Sequence, residues 1–206
     1  MTAHLRLAKS DPVIAELVAE HGKMSVERRL RERGQARDPW AVLVSAVVGQ
    51  QLSTKAAATI RGRVMEPYDG RMPTPVELLE ADEKDLRAAG LSGRKVEYLR
   101  DLARHVHDGE LELDALATMS DEEVIAEITA VRGFGRWTAE MFLMFHLGRP
   151  DVLPVGDLGI RRAAQIAYGL TELPNPAELE RIAERWRPHR TLACLYLWES
   201  LRNAPV

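Results

Sequence analysis

Helix starts recur along this chain, and little in the sequence competes with them. Asp11-Pro12 and Asp38-Pro39 each pair a capping acid with a first-turn proline. Thr74-Pro75-Val76-Glu77, Ser120-Asp121-Glu122-Glu123 and Asn175-Pro176-Ala177-Glu178 each place a glutamate three residues after a capping side chain. Such side chains accept the amide hydrogens that the first turn of a helix leaves unpaired. Between the caps, apolar residues return at helical spacing, as in Ile14, Leu17 and Val18, or Val124, Ile125 and Ile128. No stretch alternates with period two around a hairpin turn. These signals predict an all-α fold of about ten helices joined by short connections.

Bulk properties narrow the setting. The chain has 206 residues, enough for one large domain or two small ones, and its 46% hydrophobic and 29% charged content is that of an ordinary globular protein. The first residues, MTAHLRLAKSDP, contain no apolar run, and no later stretch is long and apolar enough for a membrane span. A cytoplasmic protein is therefore expected. Cys194, the single cysteine, sits in the apolar pattern LACLYLW and excludes an intrachain disulfide or a multi-cysteine metal cluster. The net charge of -3 gives no general basic excess, so a nucleic-acid partner would have to be held through helix N-termini, main-chain amides and local basic faces. Lys23, Arg28, Arg29, Arg31, Arg33 and Arg37 form one dense basic run, which reads as a solvated face or as such a surface.

The helix from Trp40 to about Val48 is apolar all round and is expected to be central and buried. It ends at Gly49, and Ser53 looks like the cap of the next helix, which leaves Gln50, Gln51 and Leu52 on a tight turn. The economical reading has both glutamines bonded locally and Leu52 packed inside. An amide and an apolar tip at such a turn also suit filling the gap that a nucleotide leaves in a duplex. Further on, Gly90 reads as a left-handed cap, and Arg94 and Lys95 at the start of a long helix face either phosphate or solvent. His105 and His107 point apart on a helix, which argues against a metal pair.

The chemistry concentrates between Ile128 and Arg162. Gly133 and Gly135 in Val131-Arg132-Gly133-Phe134-Gly135 permit a tight turn between helices whose free amides can cradle an anion. Trp137, Met141 and Met144 share one face of the following helix, a stripe that is more often core than pocket. Gly148 ends that helix, and Pro150 and Pro154 keep the next crossing extended. Asp157 then stands where an N-cap would stand for a helix from Leu158 to Tyr168, and aspartate is a favoured cap. A carboxylate just beyond a phosphate-sized cradle also suits chemistry on whatever that phosphate belongs to. The last segment, HRTLACLYLWESLRN, is nearly continuous in apolar residues and is expected to be buried, with Trp198 in the core or on a cleft wall.

GQQLSTKAA (49–57), GLSGRKVEYL (90–99), VRGFGRWTAEMFLMF (131–145), DVLPVGDLGIRR (151–162) and RWRPHRTLACLYLW (185–198) together resemble the helix-hairpin-helix DNA glycosylases. Within them the chain looks like the 3-methyladenine DNA glycosylase II family. The resemblance implies two helical lobes, a central one at 37–151 carrying the hairpin and a second at 1–36 plus 152–206, with an active-site cleft between them. It assigns catalysis to Asp157 and the base pocket to Trp137, Met141, Leu158 and Trp198. It assigns DNA binding to Gln51, Leu52, Ser53, Arg132, Gly133, Phe134, Gly135, Arg136 and Thr138, with Gln51 and Leu52 at the loop that plugs the duplex. Main-chain carbonyls of Thr129, Val131 and Phe134 would hold a sodium or potassium ion, with no other cofactor. The expected partner is double-stranded DNA carrying alkylated bases, bound by a monomer away from any membrane.

Departures from the family pattern sharpen the expectation. Bifunctional relatives carry a lysine where this chain has Trp137, and tryptophan cannot form the Schiff base that precedes strand cleavage. The four-cysteine loop of other relatives and the N-terminal β-domain of larger bacterial ones are missing, and Met141 and Leu158 replace tyrosines found in some members. The expected activity is monofunctional hydrolysis of the N-glycosidic bond of alkylated purines. The alternatives are a glycosylase for another damaged base, such as uracil or an oxidised purine, and a non-catalytic binder of DNA structure.

Overall fold

The computed structural model describes residues 2–26 and 38–202. Arg28, Arg29, Arg31, Arg33 and Arg37 of the basic run lie outside the described residues. The chain divides into two compact units, Met1–Gln35 with Leu143–Val206, and Ala36–Phe142. In chain order the helices are α1 (Ala3–Ser10), α2 (Pro12–His21), α3 (Pro39–Gly49), α4 (Thr54–Met65), α5 (Pro75–Glu80) and α6 (Glu83–Ala88). They continue as α7 (Gly93–His107), α8 (Asp121–Ala130), α9 (Arg136–Phe145), α10 (Leu158–Ala167), α11 (Pro176–Ala183) and α12 (Arg190–Arg202). Among the described residues these twelve α-helices are joined by three 3-10 segments, with no strand. The excess over about ten helices includes α1, whose N-cap Thr2 makes no side-chain cap bond and so leaves no signature to read. No helix is long and apolar enough to cross a membrane among the described residues.

The expected caps form. Asp11, Asp38 and Ser53 accept first-turn amides, and Thr74, Ser120 and Asn175 each complete a reciprocal capping box with the glutamate three residues on. In the unit Ala36–Phe142, α3 is the central helix, with Leu43, Val44, Val47 and Val48 fully buried and the Trp40 indole donating to the Pro73 carbonyl at 2.7 Å. The amphipathic α7 lays Val96, Leu99 and Leu102 against this core, and α8 adds Val124 and Ile128.

In the other unit α12 is the buried core helix, with Ala193 through Leu197 sealed from solvent. Asp11 ties this unit together. Its carboxylate is fully buried, and Oδ1 accepts the Val13 and Ile14 amides at 2.9 and 3.3 Å. Oδ2 accepts the Tyr168 hydroxyl at 2.6 Å and the Trp186 indole N–H at 3.0 Å. Burial, and then the Asp11 hydrogen bond, push the Tyr168 hydroxyl well above its ordinary pKa, which keeps it a donor. One side chain therefore caps α2 and accepts from a buried indole and a half-buried hydroxyl in distant parts of the chain. Replacing Asp11 with alanine removes the cap and leaves the Tyr168 hydroxyl without its acceptor, while the Trp186 indole keeps only its 3.1 Å bond to the Tyr168 oxygen, so urea unfolding should show a loss of about 2–4 kcal/mol. A loss below about 0.5 kcal/mol, the range of an ordinary surface change, would contradict this role.

Candidate active site and nucleic-acid interface

In the unit Ala36–Phe142, the turn between α8 and α9 is held from three sides. The Asp101 carboxylate of α7 accepts the Arg132 amide at 2.8 Å. The Gln50 side-chain amide donates to the Gly133 carbonyl at 3.0 Å. Gly133 itself is left-handed, with φ of 89°, and its Cα lies on the Tyr98 ring so closely that an added Cβ would meet Tyr98 at 2.3 Å. Gly135 differs from the expectation: it has no positive φ and nothing within 4 Å of an added Cβ. It serves instead as the helix start, its carbonyl accepting the Thr138 and Ala139 amides. Among the described residues the Gly133, Gly135 and Arg136 amides have no protein acceptor, so three N–H groups are available at the turn and the first residue of α9.

Side chains expected on this surface behave unequally. Phe134 is buried, leaving its main chain as the part able to meet a ligand. Arg132 is exposed and lies 3.3 Å from Glu97. Arg136 donates to Glu122 at 2.8 Å and to the buried Glu140 at 3.1 Å. The Glu122 hydrogen bond raises the Arg136 pKa and lowers that of Glu122, so this guanidinium is already balanced within the protein. Thr138 is half-buried. Trp137 is 51% exposed, Met141 half-buried and Met144 fully buried, so the stripe on α9 is core at one end and open at the other. The Thr129 and Phe134 carbonyls accept no amide among the described residues, and the Val131 carbonyl accepts Phe134 N–H at 3.2 Å with a lone pair to spare. That donor set suits a hard monovalent cation. No cluster of acidic, histidine or cysteine side chains able to hold a metal occurs among the described residues, and His105 is turned to Asp101.

The neighbouring turn overturns the economical reading of 50–52. Leu52 is 39% exposed, Gln51 is exposed with a left-handed φ of 58°, and Gln50 bonds to the hairpin rather than locally. Ser53 accepts the Ala56 amide as the cap of α4. Lys95 is half-buried: its ammonium donates to the Val48 carbonyl at 2.8 Å, and burial lowers its pKa.

The acid belongs to the other unit. The stretch before it has no regular structure over 152–154 and then turns, with Val155 N–H bonded to the Leu153 carbonyl and Asp157 N–H to the Pro154 carbonyl. Its start is clamped to α12, where Arg190 grips Asp151 at 2.9 Å and the Thr191 hydroxyl bridges the Arg149 carbonyl and the Val152 amide. Asp157 caps α10 through Ile160 N–H at 2.8 Å, and the same Oδ1 accepts the Trp198 indole N–H at 3.0 Å. Gly159 makes room for that approach, since a Cβ there would lie 3.0 Å from Oδ1 and 3.3 Å from the indole. Asp157 is half-buried, and beside it Leu158 is 65% exposed.

An anion cradle of main-chain amides and a half-buried, doubly hydrogen-bonded carboxylate now have a family context. Residues 44–188 match the HhH-GPD superfamily of base excision DNA repair proteins. The chain belongs to this superfamily. It is 36% identical over 172 residues to DNA-3-methyladenine glycosylase 1 of Schizosaccharomyces pombe, covering 82% of this chain and 75% of that one. The solved 3-methyladenine DNA glycosylase of Schizosaccharomyces pombe in complex with abasic DNA superposes with a TM-score of 0.85 at 32% identity, over 99% of this chain and 98% of that one. A DNA-3-methyladenine glycosidase from Bacillus halodurans gives 0.76 at 39% identity, over 94% and 90%. In this HhH-GPD chain, sequence reading missed Gln50, Tyr98, Asp101 and the Asp151–Arg190 clamp, whose partners lie far away in sequence.

The two hairpin glycines should separate cleanly on substitution. Gly133→Ala forces a left-handed alanine into the Tyr98 ring and should cost about 1–3 kcal/mol, whereas Gly135→Ala should stay within about 0.5 kcal/mol. Denaturant unfolding of both variants checks this; equal losses would contradict the geometry.

Proposed function

We propose that this chain hydrolyses the N-glycosidic bond of alkylated purines in double-stranded DNA, acting as one copy and leaving the strand uncut. The observation that carries the reading is Asp157, a half-buried carboxylate at a helix start whose Oδ1 is fixed by two N–H donors. The 3-methyladenine glycosylases among its relatives support the same reaction class.

Extruding the target nucleotide costs a few kcal/mol, least where pairing is already weakened. An alkylated purine carries positive charge, and the indole faces of Trp137 and Trp198 are assigned to hold it by stacking and cation–π attraction, about 0.5–2 kcal/mol each. As the bond from C1′ to the base nitrogen breaks, its electron pair leaves with the base and neutralises that charge, so a strong general acid is not needed. Positive charge then develops on the sugar, and the Asp157 carboxylate stabilises it. Water adds to C1′ and gives up its proton to the carboxylate or to solvent. The Ile160 and Trp198 donors hold the carboxylate in place without reorganisation during the reaction.

The amides of Gly133, Gly135 and Arg136 are assigned to a DNA phosphate. A sodium or potassium ion on the carbonyls of Thr129, Val131 and Phe134 would add positive charge beside that phosphate. Trp137 supports a monofunctional enzyme, because an indole offers no amine for a Schiff base. Incubation with methylated duplex DNA should release free 3-methyladenine, seen by chromatography and mass spectrometry, while the strand breaks only after added alkali. Tight binding to abasic DNA with no released base would leave a non-catalytic binder, and breaks without alkali would contradict the assignment of Trp137.

A further inference from the structure

We propose that Gln50 is a positioning residue that makes the hairpin and the 50–52 turn act on DNA as one piece. The inference rests on the reading that the hairpin grips a phosphate while the exposed tip of the turn occupies the duplex. Both elements lie in the unit Ala36–Phe142. The Gln50 side-chain amide spans 83 residues of sequence to donate to the Gly133 carbonyl at 3.0 Å. That carbonyl belongs to the peptide plane that also carries the Phe134 amide, itself bonded to the Val131 carbonyl at 3.2 Å. Fixing the plane fixes the direction of the neighbouring amides that face outward.

The same residue begins the exposed turn. Gln50 N–H is bonded to the Val47 carbonyl at 3.3 Å and Leu52 N–H to the Gly49 carbonyl at 3.2 Å. Behind the turn, the Lys95 ammonium holds the Val48 carbonyl; after it, Ser53 caps α4. Gln51, between them, sits in a left-handed conformation that a residue with a side chain adopts at a cost. The turn is thus anchored at both ends and joined by Gln50 to the hairpin, while Leu52 stays exposed at its tip. A phosphate seated on the hairpin amides sets where the tip enters, and a seated tip sets the hairpin. Such coupling is energetic and reciprocal, so it is measurable as non-additivity.

The test uses the full chain as wild type, Gln50→Ala, Leu52→Ala and the double variant. Fluorescence anisotropy gives Kd for a duplex with a tetrahydrofuran abasic analogue and for the undamaged duplex of the same sequence, and each melting temperature is recorded. Each single substitution should weaken binding to the analogue about tenfold, with the double variant little worse than either single one. Binding to undamaged DNA should move less than about twofold. Gln50→Glu, whose carboxylate cannot donate to a carbonyl, should match Gln50→Ala. Losses that multiply in the double variant overturn the proposal. So does an equal loss on both duplexes with a lowered melting temperature, which marks a bond that merely supports the fold. A wild-type protein with no preference for the analogue removes the underlying DNA reading, and this inference with it.

Discussion

A carboxylate at the first turn of a helix ordinarily spends itself on capping, and at Asp157 capping and chemistry share one group. Oδ1 accepts both the Ile160 amide and the Trp198 indole. Neither of these two donors carries formal charge, so their hydrogen bonds orient the carboxylate without neutralising it. Gly159 is part of the same device, because any larger residue would crowd both the carboxylate and the indole. The clamp of Arg190 and Thr191 on 149–152 fixes where the chain leaves for Asp157, and the buried α12 carries both that clamp and Trp198. One core helix therefore sets the start of the crossing and the far side of the acid together.

The hairpin meets a different constraint. With a net charge of -3, this chain has no surplus of positive charge to spread over a phosphate backbone. Arg136 is committed to Glu122 and Glu140, and Arg132 lies beside Glu97. What the turn offers is a set of main-chain N–H groups held by Asp101, Tyr98 and Gln50. Partial charges fixed in direction discriminate by geometry more than by attraction. That suits a protein that has to search among many identical phosphates without being trapped on any of them.

Local signals in the sequence were legible where the physics is local. Caps such as Asp38, Ser120 and Asn175 act on amides two or three residues away, so their spacing alone predicts the helix start. The all-helical architecture and Asp157 as a cap follow on the same ground. The left-handed Gly133 was readable from the turn, but the reason for glycine there, the Tyr98 ring, was not. Gln50, Asp101 and the Asp151–Arg190 pair act across 83, 31 and 39 residues of sequence, and nothing in the composition of a segment marks such partners. Residue type also misled where exposure decides. Leu52 reads as a core residue yet is exposed, and Lys95 spends its charge on a helix end.

Asp157 gives the most direct test, through single-turnover release of 3-methyladenine by Asp157→Asn. Asparagine keeps the cap and the size of the side chain while removing the negative charge. The account predicts a rate constant lowered by about a hundredfold or more, with the melting temperature and the affinity for an abasic-analogue duplex close to wild type. Release at the wild-type rate would contradict it, because the reaction would then proceed without a carboxylate facing the sugar.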